Sequence, residues 1–253
     1  MLRVEDLTLG YGGEPILKGV SLTVDSGRFA SLIGPSGSGK TSILRAVTGL
    51  QKPDSGSIAL DVPQDAVGFL FQDDALLPWR TARQNVALGL RIHGMARKEA
   101  ETRADDWLAK LGLAGFGDRF PRQLSGGQRK RVAIAQVLAL EPRFLLMDEP
   151  FASLDAIVRT NITQELIGWV ERENLTVLLV THDLEEAISL SDVVYVLSQG
   201  PNARIRSRHD VDIARPRDLL GTRDDPQFPA LLKRLWDELS AEAYPETVGE
   251  AAQ

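Results

Sequence analysis

The chain has 253 residues, 43% of them hydrophobic and 25% charged, which suits one large α/β domain, or a core domain with a subdomain, and excludes a disordered chain. Its formal net charge of −6 argues against a nucleic-acid-binding surface, which is normally basic, but leaves room for a nucleotide pocket with local positive potential. With no cysteine there is no disulfide framework and no Cys-based zinc site, which fits a reducing cytoplasm.

The first residues, Met1-Leu2-Arg3-Val4-Glu5-Asp6, lack the apolar core of a signal peptide. No apolar run approaches the roughly 18 residues of a membrane span, so any service to a membrane is expected to go through docking onto another chain. Residues 2–9 and 20–24 alternate as half-buried strands do, with Tyr11-Gly12-Gly13 as a turn between them. Residues 29–33 form a short apolar run that enters a glycine-rich loop at Gly34. Ile43, Leu44, Val47 and Leu50 follow with helical spacing, and Gly49 and Pro53 punctuate the end. Residues 67–71, 144–147, 176–180 and 193–197 read as buried strands. Ala100, Ala104, Trp107, Leu108 and Leu111 share one helical face, and Ile162, Leu166, Ile167 and Val170 share another. Strands alternating with helices predict a largely parallel sheet covered by helices.

Residues 76–140 carry no strand signal and read as a helical insertion. Residues 203–216 read as extended or loop. Phe228, Leu231, Leu232, Leu235 and Leu239 mark a C-terminal amphipathic helix, followed by a frayed tail. The basic runs Arg129-Lys130-Arg131 and Arg204, Arg206, Arg208 read as solvated faces. Trp79, Trp107, Trp169 and Trp236 read mainly as packing residues, and His93 and His209 as loop histidines.

Gly34-Pro35-Ser36-Gly37-Ser38-Gly39-Lys40-Thr41 matches the phosphate-loop pattern in full, with a strand before it and a helix after it. Glycines let successive N–H groups point at phosphate oxygens, and the helix that follows adds its positive end. Lys40 is placed to neutralise β- and γ-phosphate charge, and the Thr41 hydroxyl to ligate Mg²⁺; Ser42 completes the candidate set. Residues 144–147 lead into Asp148 and Glu149. Asp148 can hold Mg²⁺ directly or through water, and Glu149 can polarise an attacking water as general base. Leu124-Ser125-Gly126-Gly127-Gln128 opens an apolar helix. Ser125 and Gln128 form a capping box, and a helix start with a serine and two glycines is also an anion site.

Taken in chain order, the phosphate loop, Leu124-Ser125-Gly126-Gly127-Gln128 and the acidic strand end at Asp148-Glu149 resemble the ATPase subunits of ABC transporters over about residues 2–200. The resemblance implies a P-loop NTPase core with a mainly parallel sheet, an N-terminal antiparallel β-subdomain and an inserted helical subdomain. The ATPase domain would span residues 1–215, with the helical subdomain at about 76–140, and the C-terminal helix and tail residues 216–253. It implies that Tyr11 stacks on adenine and that Gln72 senses Mg²⁺ and the reacting water. Asp155, in Ser153-Leu154-Asp155, would belong to the D-loop, and His182 would be the switch histidine contacting the γ-phosphate.

The resemblance also implies a head-to-tail homodimer with ATP and Mg²⁺ between the phosphate loop of one subunit and Ser125, Gly126, Gly127 and Gln128 of the other. Residues 73–80 would form the groove that accepts a helix of an integral-membrane permease. The protein would then sit peripherally at the cytoplasmic face of the inner membrane, indirectly served by a solute-binding protein and without nucleic acid. Gln136 stands where the family commonly has arginine, which weakens an internal ion pair but touches no phosphate-contacting position. Leu76-Leu77-Pro78-Trp79-Arg80, the run 85–90 and the stretch 198–205 resemble importers of nitrate, sulfonates and taurine. The competing readings are a soluble ABC ATPase acting on nucleic acid and an exporter ATPase.

Overall fold

The computed structural model describes residues 1–217 and 219–243, and for Tyr11, Glu242 and Ala243 the backbone alone. The chain opens with β1 (Leu2–Tyr11), β2 (Glu14–Val24), β3 (Phe29–Ile33), α1 (Lys40–Val47), β4 (Ser55–Leu60) and β5 (Val67–Leu70). There follow α2 (Ala82–Ile92), α3 (Arg97–Lys110), α4 (Gly126–Leu138), β6 (Phe144–Asp148) and α5 (Ala156–Arg172). The chain continues with β7 (Thr176–Val180), α6 (Leu184–Leu190), β8 (Val193–Leu197), β9 (Ile205–Asp210) and α7 (Gln227–Ala243). They divide into two compact bodies, residues 1–62 with 173 onward, and residues 63–172.

In the first body, β3 pairs in parallel with both β7 and β8, and β9 closes on β8 antiparallel. Every residue of β3, β7 and β8 is buried, the pattern expected of strands covered on both faces. The polar Ser31 survives inside β3 because its hydroxyl meets that of Ser191 at 2.5 Å. A second sheet, β2-β1-β4, is antiparallel. Along β1 the buried residues are Leu2 and Val4, then Leu7 and Leu9. The change of parity falls at a register shift between Val4 and Leu7, where Asp6 adopts φ +49. A bulge there turns the second half of the strand so that its leucines still face inward.

One strand escaped the sequence reading, and a second was left open between extended and loop. β4 is mostly exposed and pairs, among the described residues, with β1 alone, so it lacks an apolar alternation. β9 occupies part of the stretch read as extended or loop: Ile205-Arg206-Ser207-Arg208-His209-Asp210 is a polar edge strand, fixed by its ladder to β8. His209 is therefore a strand residue, and its Nε2 lies 3.1 Å from Glu238 of α7. The C-terminal helix forms as its spacing predicts. Phe228 and Leu235 are buried in a cluster with Ile33, Ile188, Val194 and Val196.

The second body pairs β5 with β6 in parallel and otherwise is helical. Thr81 caps α2, accepting from Gln84 N–H while Gln84 Oε1 accepts from Thr81 N–H. Asn85 is fully buried. Its amide donates to the carbonyls of Leu77, Arg80 and Thr81 and its Oδ1 accepts from Leu77 N–H, which fixes the residues before α2. Arg83 bridges Asp105 of α3 and Asp118, and the hydrogen bonds to Asp105 raise its already high pKa.

Two expectations about side chains are corrected here. Of the run read as a solvated face, Lys130 is completely buried, Arg131 makes a bidentate pair with Glu165 of α5, and Arg129 meets Asp74. The cause is helical geometry: Lys130 lies on the same side of α4 as Ala133 and Ile134, both buried. Of the four tryptophans, Trp107 and Trp169 do pack, with ring centroids 4.9 Å apart, but Trp79 and Trp236 are 69% and 65% exposed.

Candidate nucleotide site

The first body builds the phosphate loop where β3 runs out. β3 and β7 are parallel neighbours with Leu32 opposite Val180. Residues 34–39 and residues 181–182 therefore leave the same edge, at the carboxyl ends of adjacent strands, where ligands of open parallel sheets bind.

The glycines of the loop are dictated by geometry. Gly39 caps α1 with φ +94, and a Cβ there would come within 2.8 Å of Leu17 Cδ2 and 2.9 Å of Ile16 Cγ2. A Cβ on Gly34 would come within 2.7 Å of the carbonyl oxygen of Leu197. Only glycine fits both positions without movement of β2 or β8. Gly37 also has φ +78.

Lys40 opens α1 and curls back into the loop, its ammonium 2.8 Å from the carbonyl oxygens of both Gly34 and Pro35. Ser38 Oγ is buried with no hydrogen-bond partner among the described residues. Pro35 and Thr41 are half-buried, Ser36 exposed and Ser42 buried. A buried orphan hydroxyl, a lysine wrapped into the curl and a helix N-terminus are the groups a polyphosphate needs.

His182 is exposed just beyond β7. Its turn is held firmly. Thr181 Oγ1 donates to Glu186 and accepts from Asp183 N–H, and Asp183 caps α6 through Glu186 N–H at 3.0 Å. Tyr11 ends β1 with its backbone opposite Glu14, and the side chain to which adenine stacking was assigned lies outside what the structure describes.

The second body gathers a matching set. β5 and β6 run parallel with Leu70 opposite Met147. Gln72 comes two residues past the end of β5, and Asp148 is the last residue of β6. Glu149 follows it. All three leave the carboxyl edge of that pair. Asp148 is 8% exposed, whereas Gln72 is exposed. Glu149 is held at φ +43, a left-handed conformation that costs a non-glycine residue about 1–2 kcal/mol. The strand's own direction would aim successive side chains at opposite faces; the reversed φ re-aims Glu149 instead.

In the same body, Ser125 caps α4: its Oγ accepts from Gln128 N–H at 3.3 Å and Gln128 Oε1 accepts from Ser125 N–H at 3.0 Å. The capping box read from the sequence is present. Ser125 and Gly126 are exposed. A Cβ on Gly127 would lie 2.7 Å from Val158 Cγ1, so this glycine also allows α4 and α5 to approach. Asp155 caps α5, accepting from Val158 N–H at 3.1 Å.

Phosphate loop, capped glycine helix and acidic strand end thus stand in the order of one nucleotide-hydrolysing family, and the ABC transporter family model matches residues 17–152. The chain belongs to the ABC transporter family. Taurine import ATP-binding proteins are 42% identical in Pseudomonas savastanoi pv. phaseolicola, over 90% of this chain and 91% of that one, and 39% identical in Escherichia coli strain K12, over 95% and 99%. A nitrate import ATP-binding protein of Synechococcus elongatus is 41% identical over 88% of this chain, which spans 35% of that longer protein.

Among solved structures, the ATP-binding cassette MJ0796, as a dimer in a post-hydrolysis state bound to ADP and Pi, superposes with a TM-score of 0.73 at 33% identity, over 85% of this chain and all of that one. CbiO1 from Clostridium perfringens, part of an ABC transporter complex, gives 0.74 at 27% identity over 94% and 97%. This ABC protein binds and hydrolyses ATP and has the α/β fold of P-loop NTPases. Among its described residues no helix is long and apolar enough to cross a membrane.

Sequence reasoning missed Lys130, Asp74 and Asn85 as residues that shape the site's surroundings. The signal for Lys130 was its helical phase with Ala133 and Ile134.

Proposed function

We propose that this chain is the ATPase subunit of an importer of the nitrate, sulfonate and taurine type, working as a head-to-tail homodimer beneath a separate permease. Near full-length similarity to taurine import ATP-binding proteins supports import. The observation that carries docking is Trp79. The loop 73–80 leaves this indole 69% exposed, while Asn85 pins the adjacent backbone through Leu77 and Arg80. A large apolar side chain held out beside a pinned backbone is available to a partner.

In this reading residues 34–42 cradle the triphosphate, with Lys40 leaving the Gly34 and Pro35 carbonyls for phosphate oxygens. Tyr11 stacks on adenine. Thr41, Gln72 and Asp148 supply the hard oxygen donors suited to Mg²⁺, which when bound offsets charge on the β- and γ-phosphates. Glu149 takes the proton of the attacking water, and His182 contacts the γ-phosphate. Ser125, Gly126, Gly127 and Gln128 of one subunit face the γ-phosphate held by the other, with Asp155 beside that contact. Residues 76–140 act as the helical subdomain. Loss of the γ-phosphate removes charge-assisted hydrogen bonds from the dimer interface and lets it open.

The test is co-purification. Tagged Glu149→Gln protein, with ATP, is expected to retain a polytopic membrane protein from detergent-solubilised native membranes, and the added change Trp79→Ala to lose it while keeping ATP-driven dimerisation. Recovery of nucleic acid or soluble partners alone would move the protein to the class of soluble ABC ATPases.

A further inference from the structure

Lys130 is 0% exposed, yet it is a cation on a helix whose start is a candidate phosphate contact. Its ammonium meets three acceptors: the carbonyl oxygens of Phe71 at 3.4 Å and Gln72 at 3.1 Å, and Asp74 Oδ1 at 3.1 Å. The ladder between β5 and β6 ends at Leu70 and Met147, so the two carbonyls that Lys130 takes up are the first ones past the strand. Asp74 presents its other oxygen to Arg129 Nε at 3.2 Å, and Arg129 Nη1 donates to the carbonyl of Leu124 at 3.0 Å. Leu124 immediately precedes Ser125.

A continuous series of charge-assisted hydrogen bonds therefore joins Gln72 to the residue before the helix-capping serine, and all of it lies within one compact body. Chemistry explains why lysine stands there. An ammonium has three protons in a tetrahedral spread and no acceptor, which matches three convergent oxygens. A buried ammonium is tolerated only when such partners are all in place. Packing alone would not require the charge, because methionine fills a similar volume.

We propose that Lys130 is a positioning residue that makes residues 71–74 and the start of α4 one mechanical piece, so that a displacement of the loop 73–80 moves Gln72 and Ser125 together. This rests on the reading of Gln72 and of the Ser125 helix given above. It goes beyond that reading by naming the device that ties them. Lys130 is fully buried against the carbonyls of Phe71 and Gln72 and the carboxylate of Asp74, and acts through Gln72 and, by way of Asp74 and Arg129, Leu124.

The experiment is Lys130→Met in the full chain, read by three measurements. Hydrogen exchange in the peptide covering residues 71–80 should quicken by about tenfold or more while that of β3 and α1 is unchanged. The kcat for ATP should fall by about tenfold, with the equilibrium Kd for ATP changed less than about twofold, because the phosphate loop is untouched. The loss in kcat should largely vanish when Lys130→Met is added to Gln72→Ala, since a residue that acts through Gln72 has nothing left to position. Asp74→Asn, which keeps size and leaves Lys130 in place, should move the first two readouts the same way by less and serves where Lys130→Met folds poorly.

Unchanged exchange in residues 71–80 overturns the proposal, and so does a kcat loss fully additive with that of Gln72→Ala. Normal hydrolysis by Gln72→Ala itself would sink the role given to Gln72, and the exchange result would still decide whether Lys130 holds the loop.

Discussion

The ammonium of Lys40 lies 2.8 Å from the carbonyl oxygen of Gly34, six residues earlier in the chain and at the other end of the phosphate loop. The loop is thus drawn shut on its own lysine, with the Pro35 carbonyl as a second acceptor at the same distance. Phosphate oxygens offer a cation stronger, charged acceptors than these two peptide carbonyls, so nucleotide binding is an exchange of partners. Lys40→Ala should weaken ATP binding by more than tenfold, as read by equilibrium titration with a fluorescent analogue. Unchanged affinity would reject the assignment of the loop.

Gly39 sets the shape of the same loop from beneath. With φ +94 and less than 3 Å between a notional Cβ and both Ile16 and Leu17, Gly39→Val combines left-handed strain with overpacking. Together these amount to roughly 2–4 kcal/mol. The melting temperature should fall by several degrees, and ATP should restore little of it, because the curl that binds phosphate is lost.

Glu149 is the expected general base, re-aimed by its left-handed φ of +43. Glu149→Gln keeps the shape but cannot accept the proton. Hydrolysis should drop by about 10²–10⁴-fold, with ATP affinity retained and a stable dimer on size exclusion in ATP. Near-normal turnover would assign the base elsewhere.

Ser125 carries two roles that a pair of substitutions separates. As the cap of α4 it accepts from Gln128 N–H, so Ser125→Ala should cost about 1 kcal/mol in denaturant unfolding. Ser125→Asp caps equally well and should leave stability within about 0.5 kcal/mol, because aspartate suits a helix N-terminus. It would nevertheless set a negative charge against the γ-phosphate across the dimer. Loss of ATP-driven dimerisation by Ser125→Asp with full stability would establish the second role; intact dimerisation would leave the serine a cap and nothing more.

What the sequence by itself determined was everything whose cause is local. Buried parallel strands such as β3 and β7 are short, mostly apolar runs. The phosphate loop announces itself because glycine is needed at Gly37 and Gly39, where φ is positive. The capping box at Ser125 and Gln128 depends on residues three apart. Only the tertiary structure decided features that depend on partners far along the chain. β4 is a strand because β1 lies beside it, about fifty residues earlier, and β9 because β8 offers an edge; neither has an apolar period of its own. Lys130 reads as a surface charge until the carbonyls of Phe71 and Gln72 and the carboxylate of Asp74 are brought around it, from nearly sixty residues away. Trp79 reads either as packing or as part of a docking groove until the structure leaves it exposed beside the backbone that Asn85 fixes. A side chain's intrinsic polarity is local, whereas its burial is set by what the rest of the chain packs against it.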